Sequence, residues 1–379
     1  MRLTAESYIR RLLADATIQV GGDSPHDLRV HDRRFFRRVL LEGSLGLGES
    51  YVEGWWDADD LVEFFARLIR WRNVQARRVV VEARRLLLNL KRALFDLQGR
   101  QRAKEVVDAH YDLPTILFEQ MLGRTMCYSC AYWREAGSLD EAQENKLDLI
   151  CRKLQIGPSH RVLDLGCGFG SFARFAAEKR GCSVVGVSLS PAQVEYARHL
   201  CQGLPVEVHC CDYRDVDAYT RSGKFDRIAS IAMFEAVGHK SFRSYMEIIR
   251  RSLKDGGLWL LHTIGDETCS CDPWLNKYIF PNGELPTLVQ IRDSVRGLFE
   301  VKDVHAFGMD YWRTLTAWLE NFRSRWGRIS AAAGPRLGER FFRMWNYYLS
   351  CCAGAFRSRN LDLWQIVLSD GPGQYRPAR

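Results

Sequence analysis

The chain has 379 residues, of which 46% are apolar and 26% charged, with a net charge of +8. That balance excludes a disordered chain, and the length fits two or three domains, or one large domain with an appendage. No uninterrupted apolar stretch approaches the ~20 residues of a membrane-spanning helix, and the first residues lack the apolar core of a signal peptide, so a cytoplasmic protein that does not cross a membrane is expected.

Residues 1–66 read as a small, mainly helical module. Helices are expected at 7–16 and 32–42. Gly43-Ser44-Leu45-Gly46-Leu47-Gly48 reads as a glycine-rich turn, because a phosphate-cradling loop would end in Lys-Ser/Thr. Trp55-Trp56 precedes an expected helix at 57–70, whose first turn carries Asp57, Asp59 and Asp60.

Residues 67–104 form a basic linker. They hold twelve basic and two acidic side chains, a net +10 that leaves the rest of the chain at −2. Leucines and valines are interleaved with the charges. Three readings fit: a solvated linker helix packing its leucines on a neighbour, an amphipathic segment lying on an anionic membrane, and a nucleic-acid patch. From the segment alone the first leads.

From residue 105 the texture is that of an α/β domain. Strands are expected at 161–165, 183–187, 206–210, 227–231 and 258–261, with late strands near 301–307 and 363–368. They alternate with helices at 171–179, 192–201 and 242–253, the last ended by Asp255-Gly256-Gly257, which predicts a parallel sheet. Residues 312–357 read as helical and rich in aromatic side chains. The twelve cysteines include the adjacent pairs Cys210-Cys211 and Cys351-Cys352 and the near pair Cys269 and Cys271. None completes a zinc pattern, and no strand leads into Cys127-x-x-Cys130 as in a redox fold, so reduced thiols are expected.

The strongest motif is Val162-Leu163-Asp164-Leu165-Gly166-Cys167-Gly168-Phe169-Gly170, a buried strand running into glycines and then a helix. Glycines let the chain turn sharply and bring backbone N–H groups against a ligand. Asp164 stands at the strand's carboxyl end, where open α/β sheets bind ligands. A dinucleotide fold would place its acid after the second strand, where this chain has Val187-Ser188-Leu189-Ser190. The pattern resembles motif I of class I S-adenosylmethionine-dependent methyltransferases, and Asp212, after the third strand, resembles the acid those enzymes place near the adenine.

Further segments narrow the resemblance. They are His110-Tyr111-Asp112-Leu113, Met126-Cys127-Tyr128-Ser129-Cys130-Ala131-Tyr132-Trp133, Ser188-Leu189-Ser190-Pro191-Ala192-Gln193 and Asp212-Tyr213-Arg214-Asp215. Met233-Phe234-Glu235-Ala236-Val237-Gly238, Leu261-His262-Thr263-Ile264-Gly265, Tyr278-Ile279-Phe280-Pro281-Asn282-Gly283 and Cys352-Ala353-Gly354-Ala355-Phe356-Arg357 complete the series. Together they resemble bacterial cyclopropane-fatty-acyl-phospholipid synthases over nearly the whole chain, including the N-terminal module of the longer members.

The resemblance implies a Rossmann-like class I methyltransferase sheet with helical insertions, occupying 105–379, behind a small, mainly helical, lipid-binding module at 1–66. It implies transfer of the methyl carbon of S-adenosylmethionine to a cis double bond of a phospholipid acyl chain. A bound bicarbonate would remove the proton so that a cyclopropane ring closes. The bicarbonate positions would be Cys130, Glu235, His262, the Ile264 backbone and Tyr311. Cys352 stands at a position sometimes proposed as an active-site cysteine, although an already activated methyl donor makes a covalent role unnecessary.

The cofactor would be held by Tyr128 and Ser129, the loop of Leu163, Asp164, Leu165, Gly166, Cys167, Gly168, Phe169, Gly170 and Ser171, and further by Ser188, Gln193, Asp212, Tyr213 and Arg214. Ser188 and Gln193 would replace the missing acid as ribose partners. A substrate inside a bilayer moves the balance for residues 67–104 to membrane docking and away from nucleic acid, which is not expected as a partner. The expected protein sits peripherally on the anionic inner face of the cell membrane, as a homodimer. Two departures stand out: Phe169 where many relatives have Trp, which loses an N–H donor, and Ala236 where a His is common. The rivals are a C-methyltransferase that adds a branch to the acyl chain and a non-catalytic lipid-binding protein.

Overall fold

The computed structural model describes residues 4–76, 113–220, 223–266, 272–281 and 283–379. The basic run beyond residue 76, His110-Tyr111-Asp112, Cys269, Cys271 and Asn282 lie outside the described residues. Among the described residues no helix is long and apolar enough to cross a membrane.

The N-terminal module is built from α1 (Ala5–Asp15), α2 (Arg34–Glu42), α3 (Ser44–Val52) and α4 (Leu61–Ala76), with a two-residue ribbon of β1 (Arg29–Val30) and β2 (Trp56–Asp57). Thr4 caps α1 by accepting the Ser7 N–H. The expected turn at 43–48 is corrected: only Gly43 breaks the chain, at φ +61°, and Ser44 onward is α3. Its glycines are packing positions. A Cβ on Gly48 would lie 2.3 Å from the Trp274 ring. The glycine pattern therefore reports a close helix approach rather than a loop.

In the larger part, α5 (Thr115–Leu122) and α6 (Leu139–Lys153) precede the sheet. The strands are β3 (Arg161–Leu165), β4 (Ser183–Ser188), β5 (Val206–Cys210), β6 (Phe225–Ile231), β7 (Leu253–Gly265), β8 (Glu300–Ala306) and β9 (Asp362–Ser369). The helices between them are α7 (Ser171–Arg180), α8 (Pro191–Leu200), α9 (Phe242–Ser252), α10 (Pro273–Tyr278), α11 (Leu288–Val295), α12 (Gly308–Ser324), α13 (Trp326–Ala333) and α14 (Glu339–Arg357). Strand order is β5-β4-β3-β6-β7-β9-β8. β3 is central and its Val162, Leu163 and Leu165 are fully buried, as befits a strand covered on both faces.

Two expectations need correction. The sheet is mixed, because β9 runs antiparallel to both its neighbours. Its first residue, Asp362, pairs with Gly265, the last of β7, so α14 delivers the chain to the carboxyl end of the sheet and β9 has only one way to run. Asp255-Gly256-Gly257 does not separate helix from strand either. It lies inside β7, in a bulge where the ladder steps from Phe225–Leu253 to Arg227–Leu258.

One apolar core joins the two parts. It runs from Ile9, Phe35, Trp56 and Phe64 to Trp318, Trp345, Tyr347 and Leu363. The seam is tight. A Cβ on Gly354 of α14 would stand 2.5 Å from the Phe65 Cβ of α4. Arg343 donates to the carbonyls of Tyr51 (2.7 Å) and Trp56 (3.1 Å) and to Asp57 (2.8 Å), and Asn346 donates to the Tyr51 hydroxyl at 2.7 Å.

Candidate active site

The site gathers at the carboxyl ends of β3, β4, β6 and β7. The loop after β3 is tied to β4, since the N–H groups of Gly166 and Cys167 both donate to the Val187 carbonyl at 2.9 Å. Gly166 and Gly170 have positive φ and no room: a Cβ would meet Met233 or Ala197 at 2.8 Å. Gly168, at φ +53°, faces open space, which is the side a ligand would approach. Leu163 and Leu165 are core side chains that contribute backbone only, and Cys167 is buried behind the loop. Burial raises the Cys167 thiol well above its ordinary range. Ser171 opens α7 directly after the glycines.

Asp164 is 1% exposed, and among the described residues its Oδ2 has no hydrogen-bond partner. Burial pushes its pKa up to about 7, against an opposing pull from Lys146. At the end of β4, Ser188 donates to the Gln193 side-chain oxygen at 3.1 Å, so the two expected ribose partners are held as one unit. Asp212 accepts both the Arg214 backbone N–H (2.9 Å) and its guanidinium (2.8 Å). The Tyr213 ring lies inward, 5.1 Å from Tyr245.

A second wall is the segment after α5. Gln143 and Lys146 of α6, both buried, donate to the Ser129 carbonyl (2.9 Å) and hydroxyl (3.0 Å). From the other side Thr314 of α12 accepts the Ala131 N–H (3.1 Å) and the Trp133 indole N–H (2.9 Å), and Asp310 accepts the Trp133 backbone N–H (2.8 Å). Tyr128, Ser129 and Cys130 are thereby fixed between two helices. Cys130 is fully buried, donates to the Ala131 carbonyl at 3.2 Å, and is kept protonated by burial.

Glu235 follows β6, and His262 lies near the carboxyl end of β7. Glu235 sits in a single 3-10 turn after β6, and its Oε1 accepts the Ile264 N–H at 2.6 Å. Its Oε2 is buried with no partner among the described residues, and burial raises the carboxyl's pKa. His262 is two residues before Ile264 and therefore on the same face of β7. Gln365, its register partner on β9, brings its amide nitrogen 3.2 Å from His262 Nδ1. With the amide nitrogen donating, Nδ1 accepts and the neutral ring carries its proton on Nε2. That Nε2 is buried without a partner among the described residues. Burial holds the ring's pKa well below 6.5, so it stays neutral.

Tyr311 completes the cluster. Cys130, Glu235, Tyr128 and Cys352 are all close enough for their charges to act on its hydroxyl, whose pKa is driven well up, chiefly by burial. The ring packs on Phe356 (4.6 Å) and Trp318 (6.1 Å). From Trp318 the aromatic wall continues through Tyr128 (5.3 Å), Phe118 and Phe169 to Tyr196 beside the glycine loop. Phe169 therefore fills its place by stacking area, with no N–H to satisfy. Cys352 is part-buried on α14, next to Tyr311 and Tyr348.

Gln143, Lys146, Thr314 and Gln365 were not among the residues singled out from the sequence. A signal existed for two of them. Gln365 interrupts the apolar run Leu363 to Leu368, and Lys146 occupies an apolar-face position in α6 beside Leu147 and Ile150. Among the described residues no group of three His, Cys, Asp or Glu side chains could hold a metal ion, and ten cysteines are free thiols.

The inventory fits two ligands. Asp164 Oδ2 offers an unpaired acceptor beside open glycine backbone, which suits the ammonium and adenosyl parts of S-adenosylmethionine. Glu235 Oε2, His262 Nε2 and the Tyr311 hydroxyl are all buried, one acceptor and two groups able to donate, a donor set that suits a hydrogen carbonate ion.

The family model described as mycolic acid cyclopropane synthetase matches residues 98–366. The cyclopropane-fatty-acyl-phospholipid synthase of Escherichia coli strain K12 is 46% identical over 362 residues, 95% of this chain and 92% of that one. The cyclopropane synthase MmaA2 of Mycobacterium tuberculosis superposes with a TM-score of 0.65 at 28% identity, covering 73% of this chain and all of the other. The mycolic acid cyclopropane synthase CmaA1 in complex with SAH and CTAB gives 0.63 at 29% identity, over 70% of this chain and 97% of that one.

Proposed function

The chain belongs to the mycolic acid cyclopropane synthetase family of S-adenosylmethionine-dependent methyltransferases, and we propose that it converts cis double bonds of phospholipid acyl chains to cyclopropane rings, with bicarbonate as the base. The observation that carries this reading is Glu235 Oε2, buried and without a partner among the described residues, close to the Tyr311 hydroxyl on which Cys130 also acts. A buried polar atom left without a partner costs roughly 1–3 kcal/mol, so such an atom marks a place made for a polar guest.

S-adenosylmethionine supplies the electrophilic methyl carbon, and bicarbonate supplies a base. The rest falls to the chain's own residues. An alkene is a weak nucleophile, so Asp164, the glycine loop and Ser129 have to hold the donor in line with it. Methyl transfer leaves a carbocation on the acyl chain. The faces of Tyr311, Trp318 and Phe356 attract positive charge, and burial keeps water from quenching it. Glu235 orients and accepts, while His262 Nε2–H and Tyr311 O–H donate, so the base is held without being protonated by the protein. Cys130 stays a thiol and Cys352 has no covalent part.

The substrate bond lies within a bilayer, so the enzyme has to dock on the membrane. In this reading residues 67–104 bind the anionic inner face of the cell membrane and the N-terminal module helps to position lipid, in a homodimer. The test uses purified protein, S-adenosylmethionine and vesicles of a cis-monounsaturated phospholipid, with proton NMR of the product chains. Upfield ring protons with loss of the olefin signal are expected. An added methyl with the olefin retained would replace this reading with acyl-chain branching.

A further inference from the structure

Helix α6 buries two lysines, and they are treated differently. Lys153 pairs with Asp303 at 3.5 Å, and burial lowers its pKa to about 8. Lys146 is 1% exposed, yet no carboxylate of the described residues forms an ion pair with it, and its ammonium has one partner, the Ser129 hydroxyl at 3.0 Å. A buried ammonium without a counter-charge is costly, and such a group persists where an anion completes it. Ser129 is 5% exposed and its oxygen accepts from Lys146, so its own O–H is left to donate, and among the described residues nothing accepts it. Close by stands the opposite case, Asp164, whose Oδ2 is buried and, among the described residues, unpaired.

A buried cation relayed through a hydroxyl, and a buried carboxylate that the cation does not touch, together match an α-amino-acid zwitterion. We propose that Lys146 is the counter-charge for the carboxylate of the bound cofactor, delivered through the Ser129 hydroxyl, while Asp164 takes the cofactor's ammonium. This rests on the chain's binding S-adenosylmethionine. It makes Lys146 a positioning residue: it touches Ser129, and Ser129 touches the ligand. The field of Lys146 also reaches Asp164, Cys130 and His262, pulling each toward its deprotonated form, so the charge lies within range of both halves of the site. The hydrogen bond to Ser129 is what assigns it to the cofactor half. Gln143 supports the geometry by holding the Ser129 carbonyl from the preceding turn.

The experiment is calorimetric titration of the full chain with S-adenosylhomocysteine and with 5′-methylthioadenosine, which keeps the adenosine and thioether and lacks the amino acid. Lys146→Met should weaken the first by ~10- to 100-fold and leave the second within about twofold, and Lys146→Arg should recover part of the loss. Equal losses for both ligands would reduce Lys146 to a structural residue. Unchanged S-adenosylhomocysteine affinity with a raised bicarbonate requirement would give its charge to the other anion and overturn the assignment. If Lys146→Met does not fold, Ser129→Ala keeps the cation and cuts the relay. The same selective loss is expected there, and no loss would overturn the proposal. Wild-type protein that binds neither ligand would sink the cofactor reading and this assignment together.

Discussion

Gln365 and His262 face each other across the β7–β9 ladder, with the Gln365 amide nitrogen 3.2 Å from Nδ1, and a donor held there keeps the ring's proton on Nε2. A histidine whose proton is placed by a neighbour is a directed donor. Replacing Gln365 with Leu frees the ring to take either tautomer. The expected result is a ~10-fold fall in kcat with a higher bicarbonate requirement and unchanged affinity for S-adenosylhomocysteine. Steady-state kinetics at several bicarbonate concentrations, beside calorimetry, read both effects, and an unchanged bicarbonate response would remove Gln365 from the mechanism.

Glu235→Gln keeps an oxygen for the Ile264 N–H and loses the carboxylate. Turnover should fall by ~10²- to 10⁴-fold, the usual range for loss of acid–base function, with cofactor binding intact. A fall in cofactor affinity of the same size would show instead that the turn carrying Glu235 had collapsed.

The raised pKa of Asp164 gives a proton signature. At pH 7 its carboxyl is about half protonated in the free protein. A ligand ammonium placed against it favours the charged form, so binding should expel a proton. Titrations of S-adenosylhomocysteine in two buffers of different ionisation enthalpy should show about half a proton released at pH 7, approaching one near pH 5 and none near pH 9. Asp164→Asn should abolish the release. The same group affects stability in the free protein. The folded pKa is above the unfolded one, so its contribution is whole below ~3.9 and is lost as pH rises through about 7.

His262 acts at the acid end. Its folded pKa is depressed, so the folded ring stays neutral while the unfolded ring takes up a proton below about 6.5. Stability is present above that value and declines as pH falls beneath it. Melting temperatures from pH 8 to 5 should fall less steeply for His262→Gln than for the wild type, and parallel curves would count against a buried neutral ring.

Gly354→Val probes the seam between the N-terminal module and the catalytic part. A branched side chain cannot fit where a Cβ alone would lie 2.5 Å from Phe65. Overpacking of this kind costs ~1–3 kcal/mol or drives the two surfaces apart. Melting temperature and protease sensitivity near residues 61–76 should both change, and a variant as stable as wild type would mean that the helices slide to accommodate it.

Much of the sheet was legible because buried strands and glycine turns have local causes. β3, β5 and the start of α7 fall where the apolar runs and Gly166-Cys167-Gly168-Phe169-Gly170 put them. The reversal of β9 was not legible, since it follows from where α14 deposits the chain. Nor was the helix at 44–52, because Gly48 answers to Trp274, more than two hundred residues away.

The sequence by itself determined the family, the glycine loop with its acid, and the residue types of the chemistry, because these are ordered local patterns. Only the tertiary structure decided which atoms are left unpaired. Ile264 turned its N–H to Glu235, Gln365 was set against His262 Nδ1, and Lys146 was buried against Ser129 with no acid paired to it among the described residues. Those are outcomes of three-dimensional neighbourhood and desolvation, in which a polar group's state is fixed by what surrounds it rather than by what precedes it in the chain.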